Sequence, residues 1–382
     1  CFNRFYINRD LYVYLPIKFL KMAHLSEQEI IRRQYLDEIR ALGLDPYPHA
    51  SYPVNTWAKE IHERFESEPD SFTSVVLAGR LMMKRIMGKA SFAELQDSTG
   101  KIQVYLNRDE LCPDEDKSLY NTLFKKLCDI GDFIGVKGYV FKTQTGEITV
   151  HVTNFDFLAK SLHPLPIVKV DAEGKVHDAF TDPEARYRRR YVDLIVNPFV
   201  KEIFVKRAKL ISRMRSYFDG RGWLEVETPV LQSIHGGAAA RPFRTHHNAL
   251  DMPLFLRIAN ELYLKRLIIG GIDGVYEFGK MFRNEGMDRT HNPEFTSMEI
   301  YVAYKDYLWM MEMVEDMLEK VITEVNGVAE VTVGDNLISF RKPFRRLSMY
   351  DAIVEYAGIR VESMSEDELR AFCKSKHIEV DM

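Results

Sequence analysis

The first regular pattern of apolar positions along the chain has helical spacing. Its members are Ile30, Leu36, Ile39 and Leu42. Ser26 and Glu29 fit a capping box, in which a hydroxyl and a carboxylate satisfy the backbone donors at a helix start. Gly43 can end the helix in a left-handed conformation. The pattern therefore predicts one amphipathic helix ahead of the first domain.

Between about Ser74 and Leu158 the pattern changes to short runs rich in β-branched and aromatic residues, which predict strands. The runs are Val75–Met83, Ala90–Leu95, Ile102–Leu106, Ile134–Phe141 and Ile148–Val152. A helical stretch, Ser118–Cys128, follows the third run. Five strands with a helix after the third are typical of an OB-fold β-barrel, which often binds oligonucleotides.

After residue 196 the pattern predicts a second domain that mixes helices and strands. Val200–Phe218 is an amphipathic helix, and a long helix covers Tyr307–Val325 between Asp306 and Gly327. The apolar face of the first helix comprises Phe204, Leu210, Ile211, Met214 and Phe218. Strands are expected at Leu224–Thr228, Leu254–Asn260, Gly274–Phe282 and Phe295–Tyr304, and His377–Met382 is expected to begin another. The fold class is α+β.

These elements divide the 382 residues into five parts. We expect an upstream segment without a fold role at 1–21, a helical region at 22–72, the barrel at 73–160, a linker at 161–196 and the second domain at 197–382. The linker carries the basic run Arg186, Arg188, Arg189 and Arg190. That run is either a solvated face or a contact to phosphate or between domains.

Composition narrows the class of protein only slightly. With 52 basic and 56 acidic residues, the net charge of -4 neither demands nor forbids a nucleic-acid partner. No apolar run approaches the roughly 20 residues that span a bilayer, so no membrane partner is expected. The four cysteines (Cys1, Cys112, Cys128 and Cys373) lack ligand or framework spacing. We therefore expect no structural zinc and a reducing, cytoplasmic location.

Candidate chemistry is concentrated on one strand and the loop before it. Strand alternation sends Thr296, Met298, Ile300 and Val302 to one face, and Phe295, Ser297, Glu299 and Tyr301 to the other. An aromatic ring, a carboxylate and a phenol on one face predict the floor of a polar pocket. Arg283 and Glu285 precede a loop with Arg289 and His291. Guanidinium groups there suit a polyphosphate, because they bind phosphate oxygens bidentately.

A third segment, Leu256–Tyr263, places another acid at a helix start. Leu256 and Ile258 share one side, and Arg257, Ala259 and Glu261 share the other. Because Glu261 opens the helix, its carboxylate is either a partner of the helix dipole or a ligand-binding group.

Together these segments resemble class II aminoacyl-tRNA synthetases, and within them the lysyl-tRNA synthetases. Gly222–Pro229 resembles the first motif of that class, and Phe282–Tyr301 resembles the second. Gly237–Asn248 is similar to the lysyl-specific stretch between them, and Arg85–Phe92 is similar to part of the anticodon-binding barrel. The resemblance implies an OB-fold barrel followed by an antiparallel sheet flanked by helices. It also implies a homodimer joined through the first motif.

The resemblance implies a two-step reaction with ATP, lysine and tRNA(Lys) as substrates. In it, lysine and ATP form lysyl-adenylate, and the lysyl group then moves to tRNA. Arg283 is the implied catalytic residue and ATP ligand. The other implied ATP ligands are Glu285, Arg289, His291 and Phe295. The implied lysine ligands are Gly237, Glu261, Glu299 and Tyr301, and the implied anticodon ligands are Arg85, Phe92, Gln103 and Glu147. Taken alone, Phe92 is either a core aromatic or a base-stacking residue.

The motif with a Gly-rich strand and helix, and the family's Mg²⁺ ligands, are expected beyond Met382, so no metal ligand is assigned here. We accordingly expect an incomplete sheet and a chain that cannot complete adenylation alone. Three alternatives stay open. They are an aspartyl- or asparaginyl-tRNA synthetase, a tRNA-binding module without catalysis, and a relative that lysylates a protein. Glu299 and Tyr301 favour an ammonium over the carboxylate of aspartate.

Overall fold

This computed structural model describes residues 25–166, 169–170, 176–177 and 180–380. The segment 1–21, for which we expected no fold role, lies outside the described residues, as does part of the expected linker. The chain divides into two compact units, the first ending at Pro198 and the second beginning at Phe199.

The predicted N-terminal helix is confirmed as α1 (Glu27–Ala41), and the capping box of Ser26 and Glu29 is formed. Gly43 follows with φ +77°. The predicted apolar stripe is wrong at its two ends, because Ile30 and Leu42 are 46% and 43% exposed.

The buried side of α1 includes a charged residue that the apolar pattern did not predict. Leu36 and Ile39 are buried as expected, but Arg32 is only 5% exposed. Its guanidinium donates hydrogen bonds of 2.9 Å to the carbonyls of Ser161 and Ile130. These two bonds tie α1 to the end of the barrel.

The predicted OB-fold barrel is confirmed. Its strands are β1 (Val75–Met87), β2 (Ala90–Gln96), β3 (Lys101–Asn107), β4 (Phe133–Lys142) and β5 (Ile148–Ala159). Their order is β1-β2-β3-β5-β4, and β1 also pairs with β4, which closes the barrel. The remaining elements are α2 (Ala58–Arg64), a 3₁₀ turn (Pro69–Phe72), α3 (Arg108–Leu111) and a π-helix (Leu119–Leu127). The π-helix occupies the place predicted for a helix after the third strand.

The linker contains regular structure. Two short strands, β6 (Lys169–Val170) and β7 (Val176–His177), are followed by α4 (Pro183–Arg188) and α5 (Arg190–Val196).

The basic run within this region has mixed roles. Arg186 and Arg190 both bind the fully buried Asp193, with 2.8 Å from Arg186 Nε to Asp193 Oδ1. Arg189 lies 5.2 Å above the ring of Phe180. Arg188 and Arg189 are both exposed, as a solvated face predicts, and the ion pair of Arg188 with a glutamate is exposed too. The run therefore includes a buried ion pair that neither interpretation foresaw.

The second unit begins with α6 (Pro198–Asp219) and alternates strands and helices. Its strands are β8 (Leu224–Glu225), β9 (Leu231–Gln232), β10 (Arg244–His247), β11 (Met252–Leu256), β12 (Gly274–Phe282), β13 (Glu294–Val302), β14 (Glu330–Val333) and β15 (Asn336–Ser339). Its other helices are α7 (Glu261–Ile269), α8 (Tyr307–Asn326), α9 (Met349–Ala357) and α10 (Glu366–Ser375). The predicted α+β class is confirmed.

The central sheet has the order β13-β12-β8. β12 and β13 pair antiparallel along their whole length, whereas β8 runs parallel to β12, so the sheet is mixed. The strand expected at Leu224–Thr228 is only two residues long. The strand expected at Leu254–Asn260 ends at Leu256, because the next four residues turn into the interior. His377–Val380 is not a strand.

One face of this sheet packs on helices. The buried cluster consists of Phe218, Trp223, Tyr276, Met313, Met317 and Val321, and Met298, Ile300 and Val302 pack against it. The predicted burial of Thr296 is wrong, since it is exposed. The predicted apolar face of α6 is buried at Phe218, but Phe204 and Leu210 are 48% and 38% exposed. The other face of the sheet is left for polar groups.

Candidate active site and barrel pocket

The polar face of β12 and β13 follows the predicted alternation. Register pairs Glu277 with Glu299 and Met281 with Phe295, so these side chains project to the same side. Phe295, Glu299 and Tyr301 are all partly buried. The face is thus neither a dry core nor an open surface, as a ligand-binding floor requires.

Arg283 lies where the strand pair opens into the hairpin loop. Its guanidinium carbon is 5.1 Å from the centroid of the Phe295 ring, and its backbone N–H donates a 2.8 Å bond to the carbonyl of Pro293. Among the described residues, Arg283 Nε is buried without a hydrogen-bond partner. A buried donor of this kind is costly unless a ligand accepts its hydrogen, so the arrangement suits an anion.

The hairpin loop presents its predicted residues differently. Glu285 Oε1 accepts a 3.2 Å bond from the backbone N–H of Arg241. His291 Nδ1 lies 2.7 Å from Asp288 Oδ2, and Arg289 is exposed. The backbone N–H of Thr290, with the ring and backbone of His291, holds the pKa of Asp288 well below its usual range. The structure therefore gives His291 an anionic partner that sequence reasoning missed.

The predicted acids gather around the start of α7. Glu261 is the first residue of the helix, and Gly237 (φ +87°) lies so close that a Cβ there would be 2.9 Å from Glu261 Cβ. The hydroxyl of Tyr301 donates a 3.1 Å bond to Glu299 Oε2. Lys265 forms an ion pair with Glu261 and lies 5.9 Å from the Tyr301 ring centroid. The structure thus brings all four predicted lysine ligands into one region.

Burial raises the pKa of Glu299, and the negative charges of Glu261 and Glu277 act in the same direction. Hydrogen bonds from Tyr301 and from the backbone of Asn260 oppose that rise. Burial and the Glu299 charge also raise the pKa of Tyr301, so its phenol stays protonated at neutral pH. Glu299 is therefore the hydrogen-bond acceptor of this pair and Tyr301 the donor. The pKa of Glu299 depends on the charges of its neighbours.

The same face of the sheet carries a buried polar network that the motifs did not reveal. Arg257 Nη1 is 2.6 Å from Glu277 Oε1, and both side chains are almost completely buried. Thr228 Oγ1 and Asn260 Nδ2 donate bonds of 2.7 and 3.1 Å to Glu277 Oε2. Strand alternation in the sequence placed Arg257 on the same side as Glu261, which was a signal that Arg257 lies near the site. The length and the partner of the strand that ends just before Arg257 could not be inferred from the sequence.

A concave site lies on the barrel and has a volume of 720 Å³. All four predicted anticodon ligands line it, namely Arg85, Phe92, Gln103 and Glu147. The Arg85 guanidinium carbon lies 5.7 Å from the Phe92 ring centroid, and Gln103 Nε2 donates a 2.8 Å bond to Thr149 Oγ1. Phe92 is partly exposed, so it is not a core aromatic.

The same pocket contains an aromatic group that sequence reasoning missed. The Tyr105 ring centroid is 5.2 Å from that of Phe92 and 5.1 Å from that of His151, and Phe141 lies 6.2 Å away. The parallel pairing of β3 with β5 places Tyr105 beside His151. The sequence showed on which face of its own strand each of these residues lies. It did not show that β3 and β5 are neighbours in the barrel.

The described residues contain no group of three or more His, Cys, Asp or Glu side chains that could hold a metal ion. No step of the reaction proposed below is assigned to Mg²⁺. Among the same residues, no helix has the length and apolar character needed to cross a membrane.

Two family models match different parts of the chain. The model described as "tRNA synthetases class II (D, K and N)" matches residues 182–380, and "OB-fold nucleic acid binding domain" matches residues 75–158. The first match covers more than half of the 382 residues. The chain belongs to the class II tRNA synthetase family.

Similar curated proteins narrow the resemblance within this family. Proteins named "Lysine--tRNA ligase" from Porphyromonas gingivalis (strain ATCC 33277) and Christiangramia forsetii are 60% and 63% identical to the chain, over 94% of its length. The chain spans 62% and 63% of those two proteins. A protein of the same name from Azobacteroides pseudotrichonymphae is 56% identical over 94% of the chain and 71% of its own length.

Proposed function

We propose that the chain is part of a lysine–tRNA ligase, which joins lysine to tRNA(Lys) through lysyl-adenylate. The observation that carries this proposal is the arrangement of the polar sheet face. It sets an arginine and an aromatic ring beside a pocket with two acids and a phenol. The names of the similar proteins point the same way.

In the first step, a carboxylate oxygen of lysine attacks the α-phosphorus of ATP. A new P–O bond forms, the bond to the leaving pyrophosphate breaks, and pyrophosphate departs with its electron pair. We assign Arg283 to the phosphate at which negative charge increases, because its buried Nε has no acceptor among the described residues. Phe295 would stack on adenine, Glu285 would lie by its amino group, and Arg289 or His291 would contact the outer phosphates. No covalent nucleophile is needed, since positioning and charge stabilisation supply the catalysis.

Lysine carries two ammonium groups, and the pocket offers an acceptor for each. Glu261 would bind the α-ammonium at the start of α7, where Gly237 leaves space. Glu299 and Tyr301 would receive the side-chain ammonium. Aspartate would place a carboxylate against Glu299, which like-charge repulsion opposes.

The barrel pocket would bind the anticodon of tRNA(Lys). Phe92 supplies a ring for base stacking, and Arg85, Gln103 and Glu147 supply polar groups around it. In this assignment, residues 73–160 are the anticodon-binding domain and residues 197–382 belong to the catalytic domain. The aromatic group of Tyr105, Phe141 and His151 enlarges the surface available to bases.

A homodimer is part of the proposal. Apolar side chains are exposed along α6 and around β8 and β9; they are Ile203, Val205, Leu210, Leu224, Val230 and Leu231. Such a surface is typical of a protein–protein interface. The cytoplasmic location remains a prediction from the cysteine pattern.

Amino-acid-dependent exchange of pyrophosphate into ATP tests the proposal. It is measured with the intact protein, by which we mean the full-length ligase of which we propose this chain is a part. We expect exchange with lysine, none with aspartate or asparagine, and a loss of at least tenfold in kcat/KM for lysine in Glu299→Gln. Exchange with aspartate would indicate the alternative synthetases. Absence of exchange together with tRNA binding would indicate a tRNA-binding module.

A further inference from the structure

The buried pair of Arg257 and Glu277 lies on the same face of the sheet as the candidate lysine-binding residue Glu299. Besides its bond to Glu277, Arg257 Nη1 donates to the carbonyl and hydroxyl oxygens of Thr228 at 3.0 and 3.1 Å. Arg257 Nε donates a 2.9 Å bond to the carbonyl of Lys280. Glu277 in turn accepts from the backbone N–H and hydroxyl of Thr228. The pair is thus held from three segments of the chain.

A glycine makes room for this pair. A Cβ at Gly279 would lie 2.2 Å from Arg257 Nη2 and 3.2 Å from Glu277 Oε1. Only the absence of a side chain there lets the guanidinium cross β12. The sequence around the pair is therefore arranged to bury a charge and its partner, which is expensive unless both are well bonded.

The pair is connected to the pocket by two routes. Glu277 is directly opposite Glu299 in the β12–β13 register. Asn260 donates its side-chain N–H to Glu277, and its backbone hydrogen-bonds Glu299. Asn260 also immediately precedes Glu261, the other acid of the pocket. One residue therefore joins the buried pair to both candidate lysine-binding carboxylates.

The charges that face Glu299 come from each packed element. β12 contributes Glu277, β13 contributes the neutral Tyr301, and α7 contributes Glu261 with its partner Lys265. Arg257 faces Glu299 only through Glu277. Its positive charge offsets the carboxylate that would otherwise stand uncompensated across the strand pair.

We propose that Arg257 and Glu277, coupled through Asn260, are positioning residues that keep Glu299 as an oriented carboxylate for the cationic side chain of the substrate. This inference rests on the proposed function, in which Glu299 binds the lysine side chain. Arg257 and Glu277 do not touch the substrate in this scheme. They act through the charge and orientation of Glu299.

Opposite charge changes in the pair must have opposite effects. In Glu277→Gln, Arg257 keeps its charge and loses its counter-ion, so the carboxylate form of Glu299 is favoured. We call the fall of kcat/KM for lysine at low pH its acid limb. In this variant the midpoint of the acid limb should move to lower pH by about half a pH unit to one pH unit. In Arg257→Met, the Glu277 charge is uncompensated, so the limb should move up by a similar amount. A general loss of structure gives no such pair of opposite shifts.

The experiment measures lysine-dependent pyrophosphate exchange against pH with the intact protein. Matched controls come from the exposed ion pair of Arg213 and Glu324, 3.2 Å apart in the same unit. Arg213→Met and Glu324→Gln should leave the limb unchanged. The double variant Arg257→Met/Glu277→Gln removes both charges and should return the limb to within about 0.3 pH units of the wild type.

Each outcome separates the inference from the proposed function. If the wild type shows no lysine-dependent exchange, or if Glu299→Gln retains the same acid limb, the proposed function fails. If Glu299→Gln removes the limb but Glu277→Gln leaves it in place or moves it up, the inference is overturned. Circular dichroism checks folding. Should Arg257→Met not fold, the direction of the Glu277→Gln shift decides the inference alone.

Discussion

Replacement of Gly237 by alanine perturbs the candidate lysine pocket in two separable ways. The backbone there has φ +87°, a conformation that costs a non-glycine residue about 1–2 kcal/mol. The added Cβ would also lie 2.9 Å from Glu261 Cβ, 3.0 Å from Ala259 Cβ and 3.4 Å from Glu261 Oε2. The first effect lowers stability, and the second must move the Glu261 carboxylate.

Displacement of that carboxylate should weaken lysine binding. A hydrogen bond to a charged group contributes about 1.5–3 kcal/mol, which corresponds to roughly tenfold to a hundredfold in KM for lysine. KM for ATP should change much less, because the three atoms nearest to the new Cβ belong to Glu261 and Ala259 and not to Arg283 or Phe295. Both constants are obtained from pyrophosphate exchange, with one substrate varied while the other is saturating.

Gly327→Ala is the matched control. Gly327 has φ +83° in the same unit, and a Cβ there would meet nothing within 4 Å. Both variants should lower the melting temperature by comparable amounts, but only Gly237→Ala should raise KM for lysine. Equal KM values for lysine in the two variants would refute the assignment of Gly237 and Glu261 to the pocket.

Three further predictions address the pocket, the barrel and the fold. Because burial raises the pKa of Glu299, its carboxylate becomes protonated above the usual pH for glutamate, and KM for lysine should rise as pH falls through that value; a profile that stays flat down to the ordinary glutamate pKa would contradict this. Phe92→Ala should weaken binding of a tRNA(Lys) anticodon stem-loop by about 1–3 kcal/mol in filter binding. Phe133→Ala, at an exposed ring outside the pocket, should not, and equal affinities would remove the stacking role. Arg32→Met should lower the free energy of unfolding by about 1–3 kcal/mol in urea, because it leaves two carbonyls without their donor. Arg40→Met, at an exposed ion pair, should change it by less than about 0.5 kcal/mol, and a similar loss in both would show that burial of Arg32 is not the cause.

The sequence was sufficient to predict those elements that are determined by residues close to one another along the chain. The capping box of α1, the five barrel strands and the Asp306 cap of α8 all depend on near neighbours, and the structure confirms them. Alternation likewise placed Phe295 and Glu299 on one face without any knowledge of their partners. The short range of these interactions explains why one sequence was enough.

Features that depend on distant partners were not predictable in this way. The exposed ends of the α1 stripe and the exposed Phe204 of α6 show that apolar spacing marks a face but not what covers it. β11 ends at Leu256, and the next residue, Arg257, is buried against Glu277, which lies twenty positions away. The aromatic group around Tyr105 needs the parallel pairing of β3 with β5. Each of these depends on tertiary contacts that no local window contains.

The balance of charge in the second unit supports the proposed preference for a cationic substrate. Three carboxylates lie along the polar face and the start of α7. Glu261 is paired with Lys265 and Glu277 with Arg257, whereas no ion pair to Glu299 occurs within the part of the chain that the structure describes. A cationic side chain would therefore supply the missing counter-charge at Glu299 and would oppose the rise in pKa that burial causes. A neutral or acidic side chain would leave that carboxylate uncompensated. In this proposal, selectivity follows from Glu299, because the other two acids already have cationic partners.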